Sequence, residues 1–343
     1  MTRPLDFIVF GVARSGTKTL VRALNLHPHV YCAQERFYFR ADHSKITFPN
    51  SFLDPSDIRN QYDLDKIARV RAALAEKCDI RHIGNKEPRY YLRLEQINRD
   101  IPALKNIWIY RSPYGFMQSW NRREAVRLST RKGRWMAGQV GLFGLLELLC
   151  CIDNCVRSKK DIFIFPYEHG LNRSLGPITQ ALDFLGAVPG LHDPMTFESR
   201  FLKKRRDAPH RLPLVSYEKE ILETLQVGDL DQILEHTRGS MVSEVAAPLR
   251  DYLQRIAEVL PRAVDRAFAA CDNSAASSYG REHFNRNRAE LAGVLKLALG
   301  SNALSEFQSF GLYQRLKALY VQRLTLKRRL LSIRWSRTTN NRR

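Results

Sequence analysis

The sequence predicts an α/β protein: a parallel β-sheet flanked by helices over roughly the first two hundred residues, then an α-helical C-terminal extension. Two observations carry this. Short apolar runs alternate with helix-period segments up to Leu214, the pattern of a parallel sheet with crossover helices. Beyond Leu214 the strand signals stop and helical periodicity continues alone. Charge bears on partners. The chain has 343 residues, 55 of them Lys or Arg and 35 Asp or Glu, for a net charge of +20. Such an excess suits an anionic partner, whether a phosphorylated or sulfated small molecule, nucleic acid or an acidic membrane face. Half of it lies in Arg315–Arg343, which holds ten Lys or Arg and no acid. A composition of 44% hydrophobic and 26% charged residues excludes a disordered or collagenous chain.

In chain order, Asp6–Val12 (DFIVFGV) reads as a buried strand and Thr17–Leu26 as the helix after it. Asp63–Lys77 is helical, with Ile67, Val70 and Leu74 at apolar spacing. Arg81–Gly84 is a short strand and Asn106–Tyr110 (NIWIY) a longer one, followed by a helix whose first turn holds Pro113. Met136–Val156 is a long apolar helix for the core, Asp161–Pro166 another strand and Gly176–Leu185 another helix. The extension reads as helices over Tyr217–Gln226, Val242–Leu260, Pro261–Ala270 and Arg288–Leu299. The expected division is an α/β domain over 1–214, a helical region over 215–310 that packs on it or completes it, and a basic amphipathic tail over 311–343. The N-terminus lacks the ordered regions of a signal peptide, and the apolar stretch Val140–Ile152 is too short for a bilayer span. The six cysteines form no disulfide framework, and Cys151 and Cys155 read as buried thiols on one helical face. The expected location is therefore cytoplasmic.

The sharpest motif is the first strand–turn–helix, Phe7–Leu20 (FIVFGVARSGTKTL). A loop with Gly11 and Gly16 feeds a helix beginning at Thr17, whose free N–H groups point back at the loop. With the hydroxyls of Ser15, Thr17 and Thr19 and the charges of Arg14 and Lys18, this is an anion cradle. The loop is P-loop-like, yet Thr17 stands where a nucleotide-triphosphate loop has its Lys, and Lys18 comes one place late. One residue on a helix is a rotation of ~100°, which takes the lysine off the phosphate axis.

The loop resembles the 5′-phosphosulfate loop of sulfotransferases that use 3′-phosphoadenosine 5′-phosphosulfate. Leu24-Asn-Leu-His27-Pro28-His-Val30 is similar to that family's next turn. Arg111 and Ser119, eight positions apart across a strand end and the following helix, resemble its 3′-phosphate site, where an arginine fork and a hydroxyl would grip the phosphate. Glu35, in Gln34-Glu35-Arg36-Phe37, falls where carbohydrate-type members place a general base; a surface carboxylate paired with Arg36 or Arg40 is the other reading. Lys86-Glu87-Pro88-Arg89-Tyr90 resembles the family's K-x-P-x-Y segment, which implies that Lys86 neutralises charge on the transferred group or its leaving oxygen. Phe165-Pro-Tyr-Glu168 is similar to the segment closing a later strand, with a structural glutamate. Phe201–Arg206 falls where a basic loop covers the adenosine, with Lys203 and Lys204 as its cations, although the usual glycine is missing.

The resemblance covers about residues 5–205. It implies sulfuryl transfer from 3′-phosphoadenosine 5′-phosphosulfate, without a metal, to an acceptor hydroxyl on a carbohydrate, glycolipid or other small molecule. Arg14, Glu35 and Lys86 would be catalytic. Arg14, Ser15, Gly16, Thr17, Lys18, Thr19, Arg111, Ser119, Lys203 and Lys204 would hold the donor. A P-loop kinase or nucleotide-binding protein is the same-fold alternative, and a non-catalytic basic membrane-surface protein is the alternative from another class. No nucleic-acid partner is expected. In the tail, Leu316, Leu319, Tyr320, Leu324, Leu330 and Leu331 fall mainly on one helical side with Lys and Arg at its borders, which suits peripheral contact with an anionic membrane, at its inner face.

Overall fold

The computed structural model describes residues 2–39, 41–56, 61–77, 79–120, 141–171, 175–188, 214, 216–235, 239–257, 259, 260, 262 and 263. The predicted basic loop with Lys203 and Lys204, the helices predicted over 261–270 and 288–299, and the tail over 311–343 lie outside these residues, apart from 262 and 263.

Five strands form the sheet: β1 (Phe7–Phe10), β2 (Val30–Gln34), β3 (His82–Lys86), β4 (Lys105–Tyr110) and β5 (Ile162–Pro166). Their order is β2-β3-β1-β4-β5 and every pairing is parallel, with Phe7 opposite Gly84 on one side and Lys105 on the other. β1 is central and wholly buried, which is why it reads as an unbroken apolar run. The helices that bear on the argument are α1 (Thr17–Leu24), α2 (Gln61–Glu76), α3 (Leu94–Asp100), α4 (residues 113–120), α5 (Gly141–Arg157), α6 (Gly176–Leu185), α7 (Ser216–Thr224), α8 (Val227–Glu235) and α9 (Val242–Ile256).

Phe7 and Val9 point to one face of the sheet, where they join Leu20, Val21 and Leu24 of α1, Ile107 and Ile109 of β4, and Ile178, Ala181, Leu182 and Leu185 of α6 in one cluster. α5 packs against α9 and against the turn Tyr90–Arg93. Its Cys151 and Cys155 are buried thiols with sulfurs 4.0 Å apart, as their shared helical face predicts. The C-terminal helices are tied to the sheet, since Ile164 N donates to Ser240 O at 3.0 Å and Met241 bridges Phe163, and to one another, since the Tyr252 hydroxyl of α9 donates to Leu225 O, between α7 and α8, at 2.7 Å. Among the described residues, no helix is long and apolar enough to cross a membrane.

The structure corrects several boundaries. β1 stops at Phe10, short of the predicted Val12, because Gly11 leaves the ladder with φ +153° to come close under β4; a Cβ there would stand 2.6 Å from Ile109 O. β3 runs on to Lys86 instead of ending at Gly84, and Gly84 is where the Phe7 ring lies against the backbone. α1 ends at Leu24. β2, α3 and α8 have no counterpart in the sequence reading.

Candidate functional site

In an open parallel sheet, ligands meet the carboxyl ends of the strands where the strand order reverses, here beside β1. Every described candidate residue lies on that edge. Across the sheet the strand ends present Glu35 after β2, Lys86 at the end of β3, the Gly11–Gly16 loop after β1, Arg111 after β4, and Tyr167 and Glu168 after β5. From Glu35 to Arg111 is three strand spacings, about 14 Å.

The loop is shaped to leave the end of α1 open. Arg14 and Gly16 are both left-handed, with φ +75° and +98°, and Gly16 caps the helix without any side-chain bond. The first turn of α1 contains no acid, so the helix itself supplies no carboxylate to its free N–H groups and positive end. Gly16 is required. A Cβ there would fall 2.1 Å from Cε2 of Tyr167, whose ring lies against the loop. Ser15 Oγ is buried and meets no hydrogen-bond partner among the described residues. Thr17 is buried, Thr19 half-buried, and Lys18 exposed. An orphaned hydroxyl beside uncapped amides is what an anion-binding loop leaves for its ligand.

Arg111 and Ser119 reach the same loop from the other side. Arg111 Nη1 donates to Arg14 O at 2.9 Å, and Arg14 Nε donates to Ser119 Oγ at 3.0 Å. Trp120 Nε1 donates to Ala13 O at 2.8 Å, so two side chains hold two successive loop carbonyls. The Arg111 guanidinium sits 4.5 Å from the Tyr167 ring centre, and its Nε faces Glu168 Oε1 at 3.4 Å, an ion pair without hydrogen-bond geometry. Glu168 thus stands against Arg111 at the strand ends. Sequence reasoning missed Tyr167, which packs on Gly16 and on Arg111 at once, and Asp231 of α8. Asp231 accepts from the Tyr110 hydroxyl and, at 2.8 Å, from Ser112 Oγ, fixing the strand end on either side of Arg111.

Glu35 and Lys86 form an ion pair. Lys86 is only 1% exposed and the Glu35 side chain 23%. The Arg36 guanidinium donates to the carbonyls of Phe52, Ser51 and Asp54, and Arg40, the other partner expected for Glu35, lies outside the described residues. Glu35 is left-handed, φ +56°, and its N donates to Lys86 O at 2.7 Å. The bend after it is pinned by Asn85, whose Oδ1 accepts from Arg36 N at 3.0 Å while Nδ2 donates to Phe37 O at 3.0 Å. A fully buried polar residue inside a strand was the available signal for Asn85. Burial raises the Glu35 pKa, but the charge and hydrogen bond of Lys86, then Lys18 and Lys66, outweigh it and hold the group below the usual carboxylate range. Its neighbour Glu87 goes the other way: burial, then the Glu35 charge, push it up to about 7. His27 is fully buried with both ring nitrogens engaged, by Val188 O at 2.9 Å and by the His29 amide at 3.2 Å, which leaves it no catalytic part. Among the described residues, no group of His, Cys, Asp and Glu is arranged to hold a metal ion.

No protein-family model matches the chain, and no curated protein does. Among solved structures, the chain is similar to a sulfotransferase from Alicyclobacillus acidocaldarius at 18% identity and TM-score 0.40, covering 68% of this chain and 96% of that one. It is similar to the sulfotransferase domain from the curacin biosynthetic pathway at 14% identity and TM-score 0.35, covering 65% and 98%. A sulfotransferase from Mycobacterium avium is similar at 13% identity and TM-score 0.37, covering 63% and 71%.

Proposed function

We propose that this protein is a sulfotransferase that moves a sulfuryl group from 3′-phosphoadenosine 5′-phosphosulfate to an acceptor hydroxyl. One observation carries the reading: Arg111, Arg14 and Ser119 are linked in a single hydrogen-bonded chain beside the uncapped N-terminus of α1, with the Glu35–Lys86 pair on the same sheet edge. Two anion-receiving sites on either side of one loop suit a donor with phosphate at both ends. The loop amides, Ser15, Thr17, Lys18 and Thr19 receive the 5′ side, and Arg111 with Ser119 receives the 3′-phosphate. Lys18, exposed and one place past the position a nucleotide-triphosphate loop needs, argues against the kinase reading.

In the transfer, the acceptor oxygen forms a bond to sulfur as the bond from sulfur to the 5′-phosphate oxygen breaks. The acceptor proton passes to Glu35, which the structure keeps in the carboxylate form that a base requires. Protonation of Glu35 releases the Lys86 ammonium to the negative charge gathering on the leaving oxygen, so the pair exchanges roles in one step. Arg14 adds a second cation on that side. Positioning and charge neutralisation do most of the work.

The test is nucleotide binding by calorimetry. Arg111→Ala should weaken adenosine 3′,5′-bisphosphate about 10–150-fold, the loss of a charge-assisted bond of roughly 1.5–3 kcal/mol, and leave adenosine 5′-phosphate much less affected. Equal weakening of both ligands overturns the assignment.

A further inference from the structure

We propose, resting on the reading above, that Asp231 is a positioning residue for the donor's 3′-phosphate: from the far face of the sheet it fixes the segment that carries both Arg111 and Ser119. Strand alternation places it there. Ile107 and Ile109 of β4 point into the cluster shared with α1 and α6, so Trp108 and Tyr110 point to the other face, where their rings meet edge to face with centres 6.0 Å apart. Continued past β4, the same alternation sends Arg111 towards α1 and Ser112 away from it. The contacts agree. Arg111 Nη1 reaches Arg14 O, whereas the Tyr110 hydroxyl and Ser112 Oγ both donate to the Asp231 carboxylate.

The pinned segment lies where the regular elements stop. The parallel ladder with β5 ends at Tyr110, opposite Pro166, and α4 begins at residue 113, so Arg111 and Ser112 stand between the two. Ser112 caps α4 through its carbonyl, which accepts from Gly115 N at 2.9 Å and from Phe116 N at 3.2 Å. A serine in that place ordinarily turns its hydroxyl to the amides of its own helix. Here Ser112 Oγ donates to Asp231 at 2.8 Å, 119 residues away. One carboxylate therefore sets the exit of β4, where Arg111 begins, and the entry of α4, about two turns before Ser119.

Asp231 has a firm base from which to do this. Its helix neighbours Leu230 and Leu234 are fully buried, the Tyr252 hydroxyl of α9 holds Leu225 O just ahead of α8, and Ser240 O just after it accepts from Ile164 N of β5. Tyr110 is fully buried and Asp231 half-buried, a setting in which hydrogen bonds to a charged acceptor are strong. The Arg111 guanidinium has supports of its own in Arg14 O and the Tyr167 ring. Loss of Asp231 thus loosens the main chain under Arg111 without removing its charge. The cost should fall on the 3′-phosphate and spare the 5′ side, which rests on the α1 terminus.

The test compares adenosine 3′,5′-bisphosphate with adenosine 5′-phosphate by calorimetry in Asp231→Ala and in Tyr110→Phe/Ser112→Ala, which removes the two hydroxyls and leaves the carboxylate. Urea unfolding checks that each variant is folded, and where one is not, the other decides. In both, the preference for the bisphosphate should fall about fivefold or more, while affinity for the 5′-phosphate stays within about twofold. Asp231→Asn keeps one acceptor oxygen and should recover part of the preference. In an Arg111→Ala background, Asp231→Ala should change bisphosphate affinity by less than about twofold, because nothing is left to position. Equal weakening of both ligands, an unchanged preference, or an effect that adds in full to that of Arg111→Ala overturns the role of Asp231 and leaves the donor reading standing. A wild-type protein with no preference for the bisphosphate brings down the donor reading and this proposal with it.

Discussion

Glu35→Gln keeps the shape of the side chain and removes its charge, which separates an architectural ion pair from a working one. Lys86 is 1% exposed, so the variant leaves a buried ammonium facing an amide oxygen. Stranding one member of a buried pair typically costs ~3–5 kcal/mol; because Glu35 is 23% exposed and part of the loss is screened, about 2–3 kcal/mol is expected here. That is a large share of a typical stability of ~5–15 kcal/mol, yet it leaves the protein folded. Lys86→Met should cost less, since a half-buried carboxylate can turn to water. The double variant should be close to Lys86→Met alone, with a coupling of about 2 kcal/mol that restores most of the stability. Turnover behaves differently. If Glu35 takes the acceptor proton, turnover falls ~10²-fold or more in Glu35→Gln and does not return in the double variant. Urea unfolding supplies the stabilities and labelled-sulfate transfer the rates. The pH dependence gives a further check. The folded-state pKa of Glu35 is depressed, so its stabilisation is present above the unfolded value of ~4.3 and is lost as pH falls through the lower folded value. Glu35→Gln should lack that acid-side loss. A variant destabilised as expected but transferring sulfate at the wild-type rate refutes the catalytic role.

Two other outcomes can be checked on the same protein. Glu87 is raised to about 7 in the fold, so it stays protonated while its unfolded counterpart ionises, and stability falls as pH rises from ~4.3 towards 7. Glu87→Gln should flatten that slope in urea unfolding between pH 5 and 8; an unchanged slope removes Glu87 as its source. Gly16→Ala should cost about 2–5 kcal/mol, combining ~1–2 kcal/mol for a left-handed alanine with ~1–3 kcal/mol for the collision with Tyr167. Adding Tyr167→Ala should recover only the collision, and a single variant within about 0.5 kcal/mol of wild type, the scale of an ordinary surface change, contradicts the close packing.

The central sheet was legible because buried parallel strands carry an apolar run on both faces, as in Phe7–Phe10 and Lys105–Tyr110. β2 was not. It is an edge strand, Val-Tyr-Cys-Ala-Gln, entered from the His27-Pro28 turn, and its length and mixed character look like a continuing loop. α8 was hidden for a different reason. Gln226, left-handed at φ +48°, breaks the chain between two helices whose buried Leu222, Leu225, Val227 and Leu230 read as a fading single pattern. In the candidate site, the glycine loop and the Arg111–Ser119 spacing are local and could be read directly. The partner of Glu35 was not local. Lys86 lies 51 residues away, and only the parallel pairing of β2 with β3 brings the two strand ends together. Asp231 was still less accessible, since its partners Tyr110 and Ser112 are 121 and 119 residues distant.

The Asp231 contacts change what the C-terminal helices are. A carboxylate from α8 accepts from both residues that bracket Arg111, and the α9 side of the same region reaches β5 through Ser240 and Met241. A shortened chain ending at Leu214 would therefore do more than shed helices. It would leave two hydroxyls at the end of β4 without their acceptor and uncover the β5 backbone that Ser240 pairs. The arginine's address in space is written partly by residues more than a hundred positions downstream, so the carboxyl end of the sheet and the helical region stand or fall together.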